Sequence, residues 1–413
     1  MTTIRIPDNN TAERKYIIDI LFNEFLGLDH RIEIGSEEYE IVLPNKKKLT
    51  IKDTFFNRYP HELDYLKREN IPQSIKELDI FAASFFMLTR WEEHVNPIRD
   101  VHGRFPAVES LAYKEGFLGR PVVNEWLEDL KKKLSKLDDG LVFKSREFQW
   151  ILTHDIDRVY KSTSLTKIGR EFAGDLLKRK RPFYALKALY ENFTAYLNLA
   201  KDPFDTYDYL MDISEKAGTI SYFFLHTSAS AKYDIANDEA SMRYAVRKIR
   251  QRGHSIGYHP SYDAFNDYTL FVRDKERIER IVGQKLTFGR QHYLRFEVPI
   301  TWQIWEDAGM EWDSTMGYAD QAGFRCGVCY PFSVFNILTR KKLALKERPL
   351  IVMDGSFVDY QQDVTPDKME TNIKDLIQKV RRHNGEFVFL WHNSSFGGDW
   401  KKFERIYEKV LLG

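Results

Sequence analysis

From Phe148 to the C-terminus, short apolar segments alternate with amphipathic ones, and this alternation constrains the fold more than any other feature of the sequence. The apolar segments have the length of buried strands, and the segments between them have the spacing of helices, several of which end at glycine. The strand-like segments are FQWILT, TISYFFLHT, HSIGYH, LTFGRQ, MEWDST, PLIVMDG and EFVFLWH. Repeated strand–helix units predict an α/β fold with a parallel sheet, either open or closed into a barrel.

The first 147 residues have a different pattern, in which short strands such as YEIVLP and KLTIKD mix with helical segments. A chain of 413 residues is long enough for two compact domains. We therefore predict a smaller α/β accessory domain over residues 1–147 and a second domain over residues 148–413. The most apolar stretch, Leu78 to Leu88, contains Asp79 and is far shorter than the ~20 residues that span a bilayer, so we expect a buried helix.

Composition excludes several classes of protein. A formal net charge of +1, without an RNP-like motif or a Cys/His finger, argues against nucleic acid as a partner. The N-terminal segment MTTIRIPDNNTAERKY lacks the apolar run and cleavage site of a secretory signal, so we expect a cytoplasmic protein. The two cysteines, Cys326 and Cys329, have no second pair to complete a zinc site, and we interpret them as structural.

Ionisable residues recur where the strand-like segments end or just beyond. In barrels and in open α/β sheets, ligands bind at the carboxyl ends of the strands. These residues are His154, Asp155, Asp157, His226, His259, Arg290, Asp313, Asp354 and His392. The pattern predicts a functional site at this end of the sheet.

Two carboxylates two residues apart, Asp155 and Asp157, can share one cavity, with one binding a cation and the other acting as a base. His259 and Asp263 in GYHPSYD would add two metal ligands if the segment turned helically. Such a set would leave coordination positions open for water and a substrate oxygen. The alternative reading of the two aspartates is capping of the following helix.

The order of THDID, GHSIGYHPSYD, FGRQHY, EWDST and FLWH resembles the five motifs of the polysaccharide deacetylase family, the NodB-homology or carbohydrate esterase family 4 group. The resemblance covers roughly Phe148 to the C-terminus and implies a distorted (β/α) barrel. The preceding part, with FAASFFMLTRWEE and HGRFP, looks like the accessory domain that precedes such barrels in bacterial surface-polysaccharide gene products. No catalytic role for that part follows from the resemblance.

The resemblance also implies metal ligands. Asp155 matches the catalytic base of the family and Asp157 its metal-binding aspartate. His259 matches the first histidine of the H-x-x-x-H metal motif, whereas Asp263 occupies the position of the second. The implied cofactor is a divalent metal, zinc in the first place, although a carboxylate at position 263 would shift the preference toward manganese or magnesium.

The remaining motifs imply the other catalytic groups. Arg290 matches the arginine that orients the base, and Arg295 in HYLRF competes for the same role. The backbone N–H of Tyr293 matches the oxyanion donor. His392 matches the general acid, with Asp313 as the carboxylate that would orient it and raise its pKa.

The implied activity is metal-assisted removal of an N-acetyl group from an amino sugar or polysaccharide intermediate in capsule, exopolysaccharide or lipopolysaccharide assembly. Two alternatives stay open. In one, the chain is a catalytically inactive carbohydrate-binding protein that keeps the barrel pocket. In the other, it hydrolyses a different C–N bond, such as that of a formamide or a ring amide.

A long segment separates the first two strand-like segments of the second domain, and it carries the basic run Lys178 to Arg181 beside Phe183 and Tyr184. A basic amphipathic hairpin of this kind is typical of contact with an anionic membrane, where it would reach a lipid-linked glycan. The other reading is an ordinary solvated helical face. The sequence leaves both readings, and the oligomeric state, open.

Overall fold

The computed structural model of the protein describes residues 1–161, 165–178, 180–197, 199–226, 233–234, 236–361 and 363–413. The N-terminal part contains a four-stranded sheet of order β2-β1-β3-β4. Its strands are β1 (Thr2–Ile6), β2 (His30–Ile34), β3 (Tyr39–Val42) and β4 (Lys48–Ile51). Its α-helices are α1 (Thr11–Asp19), α2 (Ile80–Thr89), α3 (Trp91–Val95), α4 (Leu111–Lys114) and α5 (Val122–Leu137).

Helix α2 is the buried helix predicted from the apolar stretch. The Asp79 carboxylate caps its first turn, where it accepts hydrogen bonds from the backbone N–H groups of Phe81 (2.9 Å) and Ala82 (3.0 Å). Such a cap satisfies N–H groups that have no partner within the helix. All residues of the helix after Ile80 are buried, which confirms the prediction.

The second sheet has nine strands in the order β10-β11-β9-β8-β7-β6-β5-β13-β12. The strands are β5 (Gln149–Ile156), β6 (Ser221–Leu225), β7 (Ser255–Tyr258), β8 (Phe288–Gly289), β9 (Trp312–Asp313), β10 (Phe332–Asn336), β11 (Lys341–Glu347), β12 (Val352–Met353) and β13 (Glu386–Leu390). All neighbouring strands are parallel except β10, which runs antiparallel to β11. The predicted parallel sheet is therefore confirmed.

Helices follow or connect these strands, as expected for repeated strand–helix units. They are α6 (Leu165–Ala173), α7 (Pro182–Tyr196), α8 (Tyr207–Lys216), α9 (Glu239–Gln251), α10 (Tyr268–Val282), α11 (Ile300–Asp307), α12 (Asp354–Val358), α13 (Pro366–Arg382) and α14 (Ile406–Leu412). Helix α10 ends at Gly283, whose φ of 75° lies in the left-handed region. Glycine adopts this conformation without strain and so terminates the helix. Among the described helices, none is both long and apolar enough to cross a membrane.

The predicted barrel does not close. No strand pairing in the described ranges joins the edge strands β10 and β12. The N-terminal part covers the outer edge at β10, where the Tyr16 hydroxyl donates to the Ser333 carbonyl (2.9 Å) and its ring stacks on Phe335 (4.7 Å). An edge strand covered in this way has no need of a further strand as partner.

Buried ion pairs also join the two parts of the chain. Glu93 of α3 accepts hydrogen bonds from Arg325 (3.0 and 2.5 Å), and both side chains are 2 % exposed. Glu13 of α1 pairs with Arg340 at 2.8 Å. One hydrophobic core includes residues of both parts, so the division of the chain at residue 147 stays a prediction.

Candidate metal centre and active site

The site begins at the carboxyl end of β5, which lies between β6 and β13 in the middle of the large sheet. Asp155 is the penultimate residue of β5, and Asp157 follows the strand directly. Residues two apart on a strand share a face, and both aspartates line one pocket of about 240 Å³. His259, His292 and His392 line the same pocket, so it gathers side chains from the ends of four strands.

Three of these side chains could hold a metal ion: Asp157, His259 and His292. The Asp157 Oδ1 atom lies 3.2 Å from His259 Nε2 and 3.4 Å from His292 Nε2. This oxygen is buried and has no hydrogen-bond partner. A buried carboxylate oxygen facing two imidazole nitrogens is the donor set expected of a divalent cation site.

The second nitrogen of each histidine supports this interpretation. His259 Nδ1 lies 2.6 Å from the Arg290 carbonyl oxygen, and His292 Nδ1 lies 3.0 Å from Asp234 Oδ1. A carbonyl and a carboxylate only accept, so each Nδ1 is the donor, and in the neutral imidazole this leaves the Nε2 lone pair free for a cation. Such outer contacts orient metal-binding histidines. The residues present therefore fit a cation.

The electrostatics of the group agree with its geometry. Burial opposes ionisation of Asp157, but the imidazoles of His292, His259 and His392 outweigh it and hold the pKa of the carboxyl well below its usual range. Burial likewise opposes protonation of His259, but Asp155 and Asp157 raise its pKa above the ordinary value. The group of Asp157, His259 and His292 thus favours positive charge. A bound cation would supply this charge in place of the proton that His259 otherwise takes up.

Asp263, the predicted third ligand, does not belong to this group. Its side chain is 59 % exposed and accepts a hydrogen bond from Arg295 Nη1 at 2.8 Å. The prediction required a helical turn from His259 to Asp263, but Pro260 disfavours helical backbone at the preceding residue. The chain leaves β7 without a helical turn at this point. Arg295 in turn donates to the His102 carbonyl (2.9 Å), so it does not orient the base.

His292 takes the place assigned to Asp263, and the sequence analysis missed it. It stands between Arg290 and Tyr293 in FGRQHY, directly after β8. The available signal was that His292, like His259 and His392, is a histidine that follows a strand-like segment. Its partner Asp234 carried no such signal, because it does not lie at the end of any of the strand-like segments of the sequence.

Asp155 and Arg290 form a buried ion pair, as the resemblance implied. Arg290 Nη1 donates to Asp155 Oδ1 at 2.8 Å and to the Thr153 hydroxyl at 2.9 Å. Its Nε donates to the Ser314 carbonyl at 2.7 Å, which fixes the plane of the guanidinium. Arg290 is fully buried and Asp155 is 3 % exposed. The carboxylate is therefore held in one orientation, with Oδ2 3.8 Å from His259 Nε2.

His392 is oriented by Asp354 rather than by Asp313. Its Nδ1 lies 2.7 Å from Asp354 Oδ1, and its backbone N–H donates to Asp354 Oδ2 at 2.8 Å. Burial lowers the pKa of His392, but Asp354 outweighs it and, with Asp157 and Asp155, raises that pKa to about 10. His392 follows β13, and Asp354 directly follows the neighbouring strand β12, whereas β9 and Asp313 are several strands away. Asp313 instead accepts from the Thr315 hydroxyl at 2.5 Å.

Tyr293 lines the pocket with a left-handed backbone (φ 61°), which is uncommon for a residue other than glycine. Arg104 from the N-terminal part also lines the pocket and holds this residue. Its Nη1 donates to the Tyr293 carbonyl at 3.0 Å and its Nη2 to the Tyr360 hydroxyl at 2.8 Å, while Asp100 neutralises its charge at 2.7 Å. The N-terminal part therefore builds one wall of the pocket.

Two further strand-end histidines are not pocket residues. His154 is fully buried, with Nδ1 2.7 Å from the Trp391 carbonyl and Nε2 3.0 Å from the Ser221 hydroxyl. His226 lies behind the centre, with Nδ1 3.3 Å from the His259 carbonyl. Burial and the neighbouring histidines lower its pKa to about 3, so it is neutral at physiological pH. Both support the site from outside the pocket.

We expect Arg104→Ala to lower kcat by roughly tenfold or more, because small displacements of positioning groups are costly in catalysis. The Tyr293 backbone would lose its partner, and Arg104→Lys should restore part of the rate. The matched control is Arg99→Ala in the same loop, since Arg99 donates only to backbone carbonyls and does not line the pocket. Steady-state kinetics of the three variants would check this, and equal losses in the Arg104 and Arg99 alanine variants would contradict it.

Comparisons with known proteins add the following. Residues 2–139 match a family of unknown function (DUF7033). No curated protein matches the sequence. Similar solved structures include a protein of Mycobacterium smegmatis assigned as a polysaccharide deacetylase, at 15 % identity and TM-score 0.40, over 65 % of this chain and 85 % of that one.

Two other similar structures carry the same assignment. For the protein from Pseudomonas aeruginosa PAO1, the identity is 10 %, the TM-score 0.38 and the coverage 64 % of this chain and 83 % of that one. For the protein from Bordetella bronchiseptica, assigned to O-antigen biosynthesis, the identity is 16 %, the TM-score 0.29 and the coverage 46 % of this chain and 65 % of that one. At these identities and TM-scores, a function for the chain has to be argued from its own side chains.

Proposed function

We propose that the protein is a metal-dependent hydrolase that removes the acetyl group from the nitrogen of an amino sugar or polysaccharide intermediate of bacterial surface-glycan biosynthesis. The observation that carries the proposal is that one pocket holds a cation-binding triad, an arginine-anchored carboxylate and a histidine–aspartate pair. Metal-assisted hydrolysis of an amide uses a cation to polarise the carbonyl, a base to activate water and an acid to protonate the leaving nitrogen, and these elements can serve in those three roles. The sugar as substrate rests on the resemblance of the motifs.

We propose zinc as the metal, held by Asp157, His259 and His292. Two imidazole nitrogens and one carboxylate oxygen are a typical catalytic zinc set, whereas magnesium and manganese prefer sets richer in oxygen. Bound there, the ion would supply Lewis acidity, which polarises an amide carbonyl and makes water more acidic. The carboxylate of Asp263 was the reason for considering manganese or magnesium, and this reason no longer applies when His292 is the third ligand.

The chain's own residues supply the proton transfers. Asp155 accepts the proton of the attacking water, and the hydrogen bond from Arg290 fixes the orientation of its carboxylate. The backbone N–H of Tyr293 donates to the oxygen on which negative charge develops. His392, which is protonated at neutral pH because Asp354 raises its pKa, donates a proton to the leaving nitrogen.

The test is to measure the metal content of the purified protein by elemental analysis and acetate release from N-acetylated amino sugars and their oligomers. About one zinc ion per chain with acetate release supports the proposal. Formate release from formamido sugars would favour the other amide hydrolase. Sugar binding without release, even after reconstitution with several divalent ions, would favour the binding protein.

Asp354→Asn should move the alkaline limb of the kcat/KM profile to lower pH. Asp354 raises the pKa of His392 by stabilising the imidazolium, so removing its charge lowers that pKa toward the ordinary value of about 6.5. The general acid then loses its proton at a lower pH, and activity falls earlier as the pH rises. Asp313→Asn is the matched control and should leave the limb in place, while an unchanged profile in Asp354→Asn would remove His392 as the acid.

A further inference from the structure

Helix α7 exposes large apolar side chains and buries small ones. Phe183, Leu186 and Tyr190 are 89 %, 59 % and 71 % exposed, whereas Ala185 and Ala188 are buried. The exposed positions are spaced by three and four residues, so they form one stripe along the helix. A helix at the surface of a globular protein normally shows the reverse arrangement.

The exposed apolar residues are concentrated in this part of the chain. Of the 23 exposed large hydrophobic residues among the described residues, ten lie between positions 165 and 199. They are Leu165, Leu176, Leu177, Phe183, Leu186, Tyr190, Phe193, Tyr196, Leu197 and Leu199. Clusters of this kind mark surfaces that contact another molecule. We refer to residues 165–197, which contain α6, α7 and the segment that connects them, as the α6–α7 hairpin.

Positive charge is concentrated in the same place. Residues 165–197 contain seven lysines and arginines and three acidic residues, a net charge of +4, whereas the whole chain has a net charge of +1. Lys178, Lys180, Arg181 and Lys187 are exposed before and along α7. An apolar stripe flanked by basic residues is the chemistry that binds an anionic lipid surface.

We propose that the α6–α7 hairpin docks the protein on the surface of an anionic bilayer, with the apolar stripe of α7 in the interface and the basic residues on the lipid headgroups. A second copy of the chain is a poorer occupant. A twofold contact between copies would bring the same surface of each together, and the two hairpins, each with a net charge of +4, would repel.

The hairpin lies at the pocket end of the sheet. It follows β5, and Arg158, directly after Asp157, pairs with Glu171 of α6 at 3.2 Å. Arg181 pairs with Asp399 in the loop that follows β13 at 2.9 Å. Docking would therefore bring the strand ends that bear the pocket toward the bilayer, where an amino sugar carried on a lipid would be reached. This last consequence rests on the proposed function, whereas the docking does not.

Flotation of the full chain with vesicles tests the apolar stripe. The protein should float with phosphatidylglycerol vesicles at low salt and not with phosphatidylcholine vesicles. The triple variant Phe183→Ser, Leu186→Ser and Tyr190→Ser should reduce partitioning roughly tenfold or more. The matched control is Ile34→Ser with Val142→Ser, since these residues are 52 % and 83 % exposed outside the hairpin. The control should float like the wild type.

A second pair of variants tests the charge. Lys178→Glu with Lys180→Glu should weaken flotation, whereas Lys132→Glu with Lys133→Glu, on the exposed side of α5, changes the net charge equally and should not. No flotation of the wild type, or equal effects of the two pairs, would overturn the proposal. A dimer that light scattering detects and the triple serine variant dissociates, without vesicle binding, would identify a second copy as the occupant. Flotation requires no turnover, so its failure is distinct from failure of the proposed activity.

Discussion

His292→Ala should lose the bound metal and with it the activity, whereas Asp263→Ala should keep both. His292 presents Nε2 to the Asp157 carboxylate at 3.4 Å, while Asp263 is exposed and paired with Arg295. Removing one of three protein ligands leaves two, which bind zinc too weakly to retain it during purification. Elemental analysis of the two variants, purified alongside the wild type, measures the difference directly.

The partner of His292 gives a graded version of the same test. Asp234→Asn keeps the size of the side chain but weakens the acceptor of the His292 Nδ1 proton, and outer contacts of this kind are worth about 10–100-fold in metal affinity. We therefore expect a weaker site that excess zinc refills. Loss of metal from Asp263→Ala with retention in His292→Ala would contradict the ligand set.

Asp155→Asn should keep the metal and lose about 10²–10⁴-fold in kcat, the range expected for removal of a general base. The amide cannot accept the proton of water but retains the shape of the carboxylate. Asp157→Ala should differ by losing both metal and activity. Single-turnover kinetics on the reconstituted variants, with metal content measured on the same samples, separates the two roles.

Asp359→Asn is the matched control for this experiment. Asp359 lines the same pocket, so it tests whether loss of any carboxylate there is enough to stop the reaction. It takes no part in the Arg290 ion pair, and we expect its effect on kcat to be small. Wild-type turnover in Asp155→Asn would show that Asp155 is not the base. A loss of kcat in Asp359→Asn as large as that in Asp155→Asn would show that the negative charge of the pocket, rather than a specific base, is responsible for the loss.

Much of the site could be predicted from the order of the strand-like segments. Parallel strands bring their carboxyl ends to one edge, so residues that follow different strands must meet there. Asp155, Asp157, His259, Arg290 and His392 all lie at this edge, as expected. This prediction did not require the distances between the residues, because the local sequence places each of them at the end of its own strand.

The partner assigned to His392 required information that is not local. The partner of His392 depends on which strand lies beside β13, and the sheet order makes this β12, with Asp354, rather than β9, with Asp313. Spacing along the chain does not specify this order. The Asp263 prediction, in contrast, could have been avoided from sequence, since Pro260 argued against the helical turn that it needed.

The sequence by itself determined the elements of this protein: the strand and helix pattern, the burial of α2, and the set of ionisable groups at the strand ends. These follow from periodicity, capping and apolar runs, which act over a few residues. Only the tertiary structure decided that the large sheet stays open, that His292 lies beside Asp157 and His259 and that Arg104 reaches Tyr293. These features join residues far apart in the chain, and packing selects among partners that the local sequence leaves equivalent.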